Sequence, residues 1–116
     1  MAQLGMYTLN INSVKKEVNL EVKGTFTPEK AKGFIDDYNR RVGVIKASDF
    51  VLRLDCRDLD LVTQEMVPEL ESCYRLYKES GFQRVIFEIK KSPVLKMQLS
   101  RLVRNAGLTN VEVIED

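Results

Sequence analysis

The sequence predicts an α/β fold: a mixed, mostly parallel sheet of about five strands with about three helices, in the order β-β-α-β-α-β-α-β. Three observations lead there. Segments with period-2 apolar alternation are followed in turn by segments with helical spacing. The first two strands are joined by a short polar break, which suits an antiparallel hairpin. The few Gly and Pro residues fall singly between periodic segments, with no linker, low-complexity tract or internal repeat, so residues 1–116 read as a single domain.

Tyr7, Leu9 and Ile11 alternate with Thr8, Asn10 and Asn12, the pattern of a half-buried strand. Residues 12–16 form the polar break. Val18, Leu20 and Val22 then alternate with Glu17, Asn19, Glu21 and Lys23, and Gly24 ends this second strand. Thr27-Pro28-Glu29 opens a helix, with Thr as cap, Pro at the first helical position and Glu at the positive dipole end. Ala31, Phe34, Ile35, Tyr38 and Val42 form its apolar stripe, and Gly43 stops it.

Phe50, Leu52 and Leu54 share one side of a third strand, opposite Val51, Arg53 and Asp55. A loop is expected over 56–62. Thr63 or a neighbour opens the second helix, with Pro68 near its first turn. Met66, Leu70, Cys73 and Tyr77 make its stripe, and Ser80-Gly81 ends it. Val85-Ile86-Phe87 is apolar on both faces, the reading of a central strand covered on both sides. Ser92-Pro93 repeats the cap signature. Leu95, Leu99, Leu102, Val103 and Ala106 form the third stripe, which Gly107 terminates, and Val111, Val113 and Ile114 suggest a last short strand.

Composition narrows the chemistry. The chain has 116 residues, 18 Lys+Arg against 17 Asp+Glu, and no His or Trp. Without His, neither a Ser-His-Asp nor a Cys-His site can be assembled from this chain alone. Zinc would have to be held by two cysteines and carboxylates, a poor ligand set. No catalytic residue, cofactor or metal site is therefore expected, and the two Cys read as small reduced hydrophobes. No apolar run approaches the roughly 18 residues of a membrane span. The start, Met1-Ala2-Gln3-Leu4-Gly5, lacks the basic and apolar regions of a signal peptide, so a cytoplasmic location is the expectation.

In its order of elements the chain resembles, over nearly its whole length and most strongly from Phe50 to Leu108, the STAS domain, the family named after sulphate transporters and bacterial anti-sigma-factor antagonists. Phe50-Val51-Leu52-Arg53-Leu54-Asp55 looks like the family's central strand, and residues 59–66 fall where its phosphorylation loop and helix start lie. Gly81-Phe82-Gln83-Arg84-Val85-Ile86-Phe87 looks like the next strand, and Asn105-Ala106-Gly107-Leu108 resembles the family's helix end. The resemblance implies a non-catalytic, bacterial regulatory or sensory module with a kinase-like or sensory protein partner. Antagonist members carry Asp-Ser-Ser/Thr-Gly at the loop; here Thr63, Gln64, Glu65 and Met66 stand in those places. The usual acceptor hydroxyl is absent, so switching by phosphorylation of that serine is not expected. Glu65 reads either as a partial phosphoserine mimic or simply as an acid at a helix N-terminus, and Thr63 reads as an N-cap.

Charge is unevenly distributed. Residues 55–71 hold six acids (Asp55, Asp58, Asp60, Glu65, Glu69, Glu71) against Arg57, whereas residues 89–111 hold Lys90, Lys91, Lys96, Arg101 and Arg104 and no acid. The acidic stretch has three readings: a divalent-cation site, for which it lacks a calcium-loop pattern; a docking surface for a basic partner; or a solvated loop and helix end. As a partner surface it would use Asp58, Asp60, Thr63, Gln64, Glu65 and Glu69. In the basic stretch, Lys90, Lys91 and Ser92 could hold a phosphate at the helix start, or the stretch is the solvent face of an amphipathic helix. Interleaved aromatic residues are missing and the domain is not basic overall, so no nucleic-acid partner is expected.

Two function classes follow. The first is a protein-interaction module binding through residues 58–70. The alternative is a structural or assembly protein that self-associates through strand edges or the hairpin, in the simplest case as a homodimer; a third reading, an enzyme or small-ligand carrier, stays open only because pockets are not visible in a sequence.

Overall fold

The computed structural model describes residues 5–115, so the reading of Met1–Leu4 lies outside the described residues. The elements are β1 (Met6–Asn12), β2 (Glu17–Gly24), α1 (Pro28–Val42), β3 (Val51–Leu59), α2 (Val67–Ser80), β4 (Arg84–Ile89), α3 (Pro93–Ala106) and β5 (Val111–Glu115). Short 3₁₀ turns at Ala47–Asp49 and Gln64–Met66 precede β3 and α2. The α/β order read from the sequence is the order observed.

The five strands lie in one sheet in chain order, β1-β2-β3-β4-β5. β1 runs antiparallel to β2, and every later pair is parallel. This order decides the layering. Each crossover from β2 onward moves one strand in the same direction, and right-handed crossovers of that kind put all their helices on one face.

Burial follows the same division. On the helix side, Val18, Leu20, Leu52, Leu54, Cys56, Val85, Phe87 and Ile89 are buried. The alternate positions, including Asn19, Glu21, Arg53, Asp55 and Glu88, are only half-buried. The expectation that β4 is covered on both sides is therefore corrected: the molecule has two layers. Ile86 faces the open side yet is only 6% exposed. Its register neighbours are Arg53 and Glu112, long side chains whose stems shield apolar surface. An apolar triplet alone does not distinguish such shielding from a second helical layer.

Between sheet and helices runs a chain of rings. Phe34 and Tyr38 of α1 meet Tyr77 and Tyr74 of α2, and Tyr74 packs edge-on against Phe87 of β4 at 5.3 Å. The Tyr38 hydroxyl stays satisfied by the Ser80 hydroxyl at 2.6 Å, as a buried polar group requires.

The helix caps act as the residue types dictate. Thr27 Oγ1 accepts from the Lys30 N–H at 3.3 Å, and Ser92 Oγ from that of Leu95 at 3.2 Å. Gly81 and Gly107 end α2 and α3 at φ of 79° and 75°, where a Cβ would be strained.

Two boundaries differ from expectation, and both bear on the candidate site. The loop expected from Cys56 starts four residues later, after Leu59, because β2 runs on past a bulge between Glu21 and Lys23. Lys23 and Gly24 thereby give Asp58 and Leu59 ladder partners. The second helix begins with the 3₁₀ turn rather than a capped α-helical start. Thr63 sits at the cap position, but its side chain makes no cap hydrogen bond.

Candidate functional site: the corner between β3, α2 and α3

β3 delivers the chain to the carboxyl end of the sheet, the end at which open α/β sheets usually place their binding sites. Residues 60–63 cross from there to α2. Two side chains outside this segment hold it. Thr25 Oγ1 donates to Asp60 Oδ2 at 2.6 Å, while the Asp60 N–H bonds the Gly24 carbonyl. On the other side, Gln98 of α3 accepts from the Val62 N–H at 3.0 Å and donates to the Val62 carbonyl at 3.1 Å. A crossover segment with few ladder bonds is thus fixed by side chains.

The sequence-derived site residues fare differently. Asp58 stands on the end of β3, and its carboxylate lies 3.5 Å from the Lys90 ammonium. The acidic and basic stretches, separate in the sequence, partly neutralise each other here. Both partners are more than half exposed, so this contact adds little stability. Asp60 is committed to Thr25. Thr63, Gln64 and Glu65 are exposed, whereas Glu69 is half-buried in the first turn of α2. Among the described residues, neither Glu65 nor Glu69 has an ion-pair partner.

The candidate anion residues are also distributed among other tasks. Lys90 is paired with Asp58, the Ser92 oxygen caps its own helix, and Lys91 is exposed. Lys96 reaches across to Glu115 at 2.6 Å. Arg101 and Arg104 remain exposed, with no ion pair among the described residues.

Sequence reasoning missed the α3 side of this corner. Val94, Met97 and Arg101 lie on α3 outside the buried stripe, and Val94 and Met97 are 48% and 56% exposed. Leu61, next to the clamped Val62, is 52% exposed. Between α2 and α3 lies a groove of about 250 Å³ lined by Val62, Gln64, Val67, Met97, Arg101 and Leu102, among others. The available signal was the pair Val94 and Met97, apolar residues at i, i+3 spacing that fall off the core stripe.

The open face of the sheet is the second polar concentration. Arg53 lies 2.8 Å from Glu88 and 4.0 Å from Glu17. Arg57 Nη2 lies 2.8 Å from Asp55 Oδ2, and its Nε donates to Asp55 Oδ1 at 2.9 Å. These hydrogen bonds, ahead of the opposing cost of burial, hold the Asp55 carboxyl below the usual carboxylate range. The depression here, about 290 Å³, is lined by both signs of charge in mutual contact.

Among the described residues, no group of three or more His, Cys, Asp or Glu is placed to hold a metal ion. Cys56 and Cys73 are buried free thiols, and burial pushes both up to about 12. A protonated, enclosed thiol is a poor nucleophile. None of the described helices is long and apolar enough to cross a membrane.

No protein-family model matches the chain, and no curated protein matches it.

Proposed function

We propose that this chain is a non-catalytic protein-interaction module of STAS-like architecture, acting in a bacterial regulatory or sensory pathway. It binds a protein partner through the corner formed by residues 58–70. The observation that carries this reading is the clamp of Gln98 on both backbone groups of Val62. It fixes a crossover segment whose neighbours Leu61, Thr63, Gln64 and Glu65 are all exposed. A surface ordered before binding loses less conformational freedom when its partner docks.

The STAS-like reading rests on element order and on the placement of this corner after the third strand. With Glu65 exposed at the first turn of the segment, partner choice is tuned by fixed charge rather than by phosphorylation of the usual serine. Lys90, Lys91 and Ser92 form the rim of the same end of the sheet and are an accessory to that contact, not a separate anion site.

The test is affinity capture from host lysate, with the wild type beside a Gln64→Ala/Glu65→Gln variant. This variant leaves Asp58 with Lys90 and Asp60 with Thr25. A protein retained by the wild type and lost by the folded variant, in a salt-sensitive complex, supports the reading. Recovery of the chain mainly with itself, as a concentration-dependent oligomer, would replace it with the assembly role.

A further inference from the structure

Helix α3 carries two sets of side chains. Leu95, Leu99, Leu102 and Ala106 are buried in the core, while Val94, Met97 and Arg101 point out of it. Among the described residues, three of the seven exposed large apolar side chains, Leu61, Val94 and Met97, lie on the crossover segment or the start of α3, the two elements joined by the Val62–Gln98 clamp. Surface apolar residues scattered singly need no explanation; Met97 differs in that it lines the groove between α2 and α3.

We propose that the α2–α3 groove is the anchor point of the partner. It takes an amphipathic segment that presents a large apolar side chain with a carboxylate within one helical turn of it. This inference rests on the interaction-module reading and names the partner's chemistry. The groove, at about 250 Å³, is smaller than the roughly 300–1,000 Å³ of small-molecule sites and suits a single inserted side chain. Val62, Val67, Met97 and Leu102 supply apolar walls, the setting in which interface anchors are most effective.

Charge selects the sign of the neighbouring group. Lys90 and Lys96 are already paired, with Asp58 and Glu115. Arg101, in the groove wall, has no carboxylate partner among the described residues. Its guanidinium fork matches a carboxylate in two parallel hydrogen bonds. Glu65 and Glu69 do not line the groove, and Glu71 reaches its rim only as the acceptor of the Asn105 amide. A basic partner segment would therefore meet repulsion at this point, although the loop beside it is acidic.

The test pans a phage-displayed library of random 16-residue peptides against the full chain, followed by titration of the enriched peptides. Enriched sequences are expected to combine a Leu, Met, Phe or Trp with Asp or Glu three or four residues away. Arg101→Glu should weaken them by about tenfold or more and favour versions carrying Lys in place of the acid. Met97→Ala should weaken both sets, with the melting temperature unchanged in either variant.

Enrichment of basic peptides, binding indifferent to Met97 and Arg101, or no enrichment at all would overturn the proposal. The two readings fail separately. A partner captured from lysate that is lost by Glu65→Gln, which leaves the groove lining intact, but kept by Met97→Ala and Arg101→Glu retains the module and removes this groove from it.

Discussion

Gln98 and Val62, separated by 36 positions in the chain, are joined by two hydrogen bonds that use both ends of the Gln98 amide. The side chain takes the place of a neighbouring strand. It offers an acceptor to the Val62 N–H and a donor to its carbonyl, and so ties the crossover after β3 to the second turn of α3.

Removing that amide leaves two half-buried backbone groups without their partner. Gln98→Ala should cost about 1–3 kcal/mol in urea unfolding, towards the lower end because water can reach the segment. Hydrogen exchange at the Val62 amide should accelerate by more than the global stability change accounts for. Unchanged exchange at Val62 would show that the segment is held by other contacts.

Leu99 is 1% exposed and belongs to the single core beneath the sheet. Leu99→Ala should cost about 2–5 kcal/mol, the transfer term plus the cavity left behind. A negligible loss in denaturant melts would contradict the packing of α3.

Glu65 is exposed, without an ion-pair partner among the described residues. Glu65→Ser should change stability by no more than about 0.5 kcal/mol. A loss beyond about 2 kcal/mol would assign this residue to the fold rather than to partner binding.

Asp55 gives the acid limb of the stability profile its sign. Its native pKa is depressed by Arg57, so the folded state binds its proton less readily than the unfolded chain does. The resulting stabilisation is complete above about pH 4 and declines as pH falls through the native pKa. Asp55→Asn should flatten this limb, with a small effect because both side chains are partly solvated. An unaltered acid limb in the variant would count against the Arg57 contact.

The thiols act at the opposite end of the profile. Burial raises Cys56 and Cys73 to about 12, so the native state keeps protons that the unfolded chain releases from about pH 8.5 upward. Their contribution is complete below that value and is lost as pH rises towards 12. At neutral pH, a disulfide reagent should label both thiols no faster than the protein opens. Rapid labelling of either in the folded state would contradict its enclosure.

Most of the element order was legible because it rests on local chemistry. The Thr27-Pro28 and Ser92-Pro93 starts and the Gly81 and Gly107 stops each act within one helical turn, so neighbours in the chain suffice to read them. The boundary near Cys56 was not legible. Whether residues 56–59 are strand or loop depends on Lys23 and Gly24, which the bulge in β2 brings alongside. Thr63 likewise matched the local signature of a cap, yet the chain turns there into a 3₁₀ step that leaves its hydroxyl out of the cap.

The α/β class, the stripes that form the core and the uneven charge all follow from residue type and period, and so are present in the linear chain. Folding in three dimensions sets the strands in chain order, which puts the helices on one face and leaves Arg53, Asp55 and Glu88 on the other. It also decided that Asp58 meets Lys90, that Asp60 meets Thr25, and that Gln98 reaches Val62. Those pairings join residues 32–36 positions apart, and no local period carries information about which distant side chain the sheet will bring within hydrogen-bonding reach.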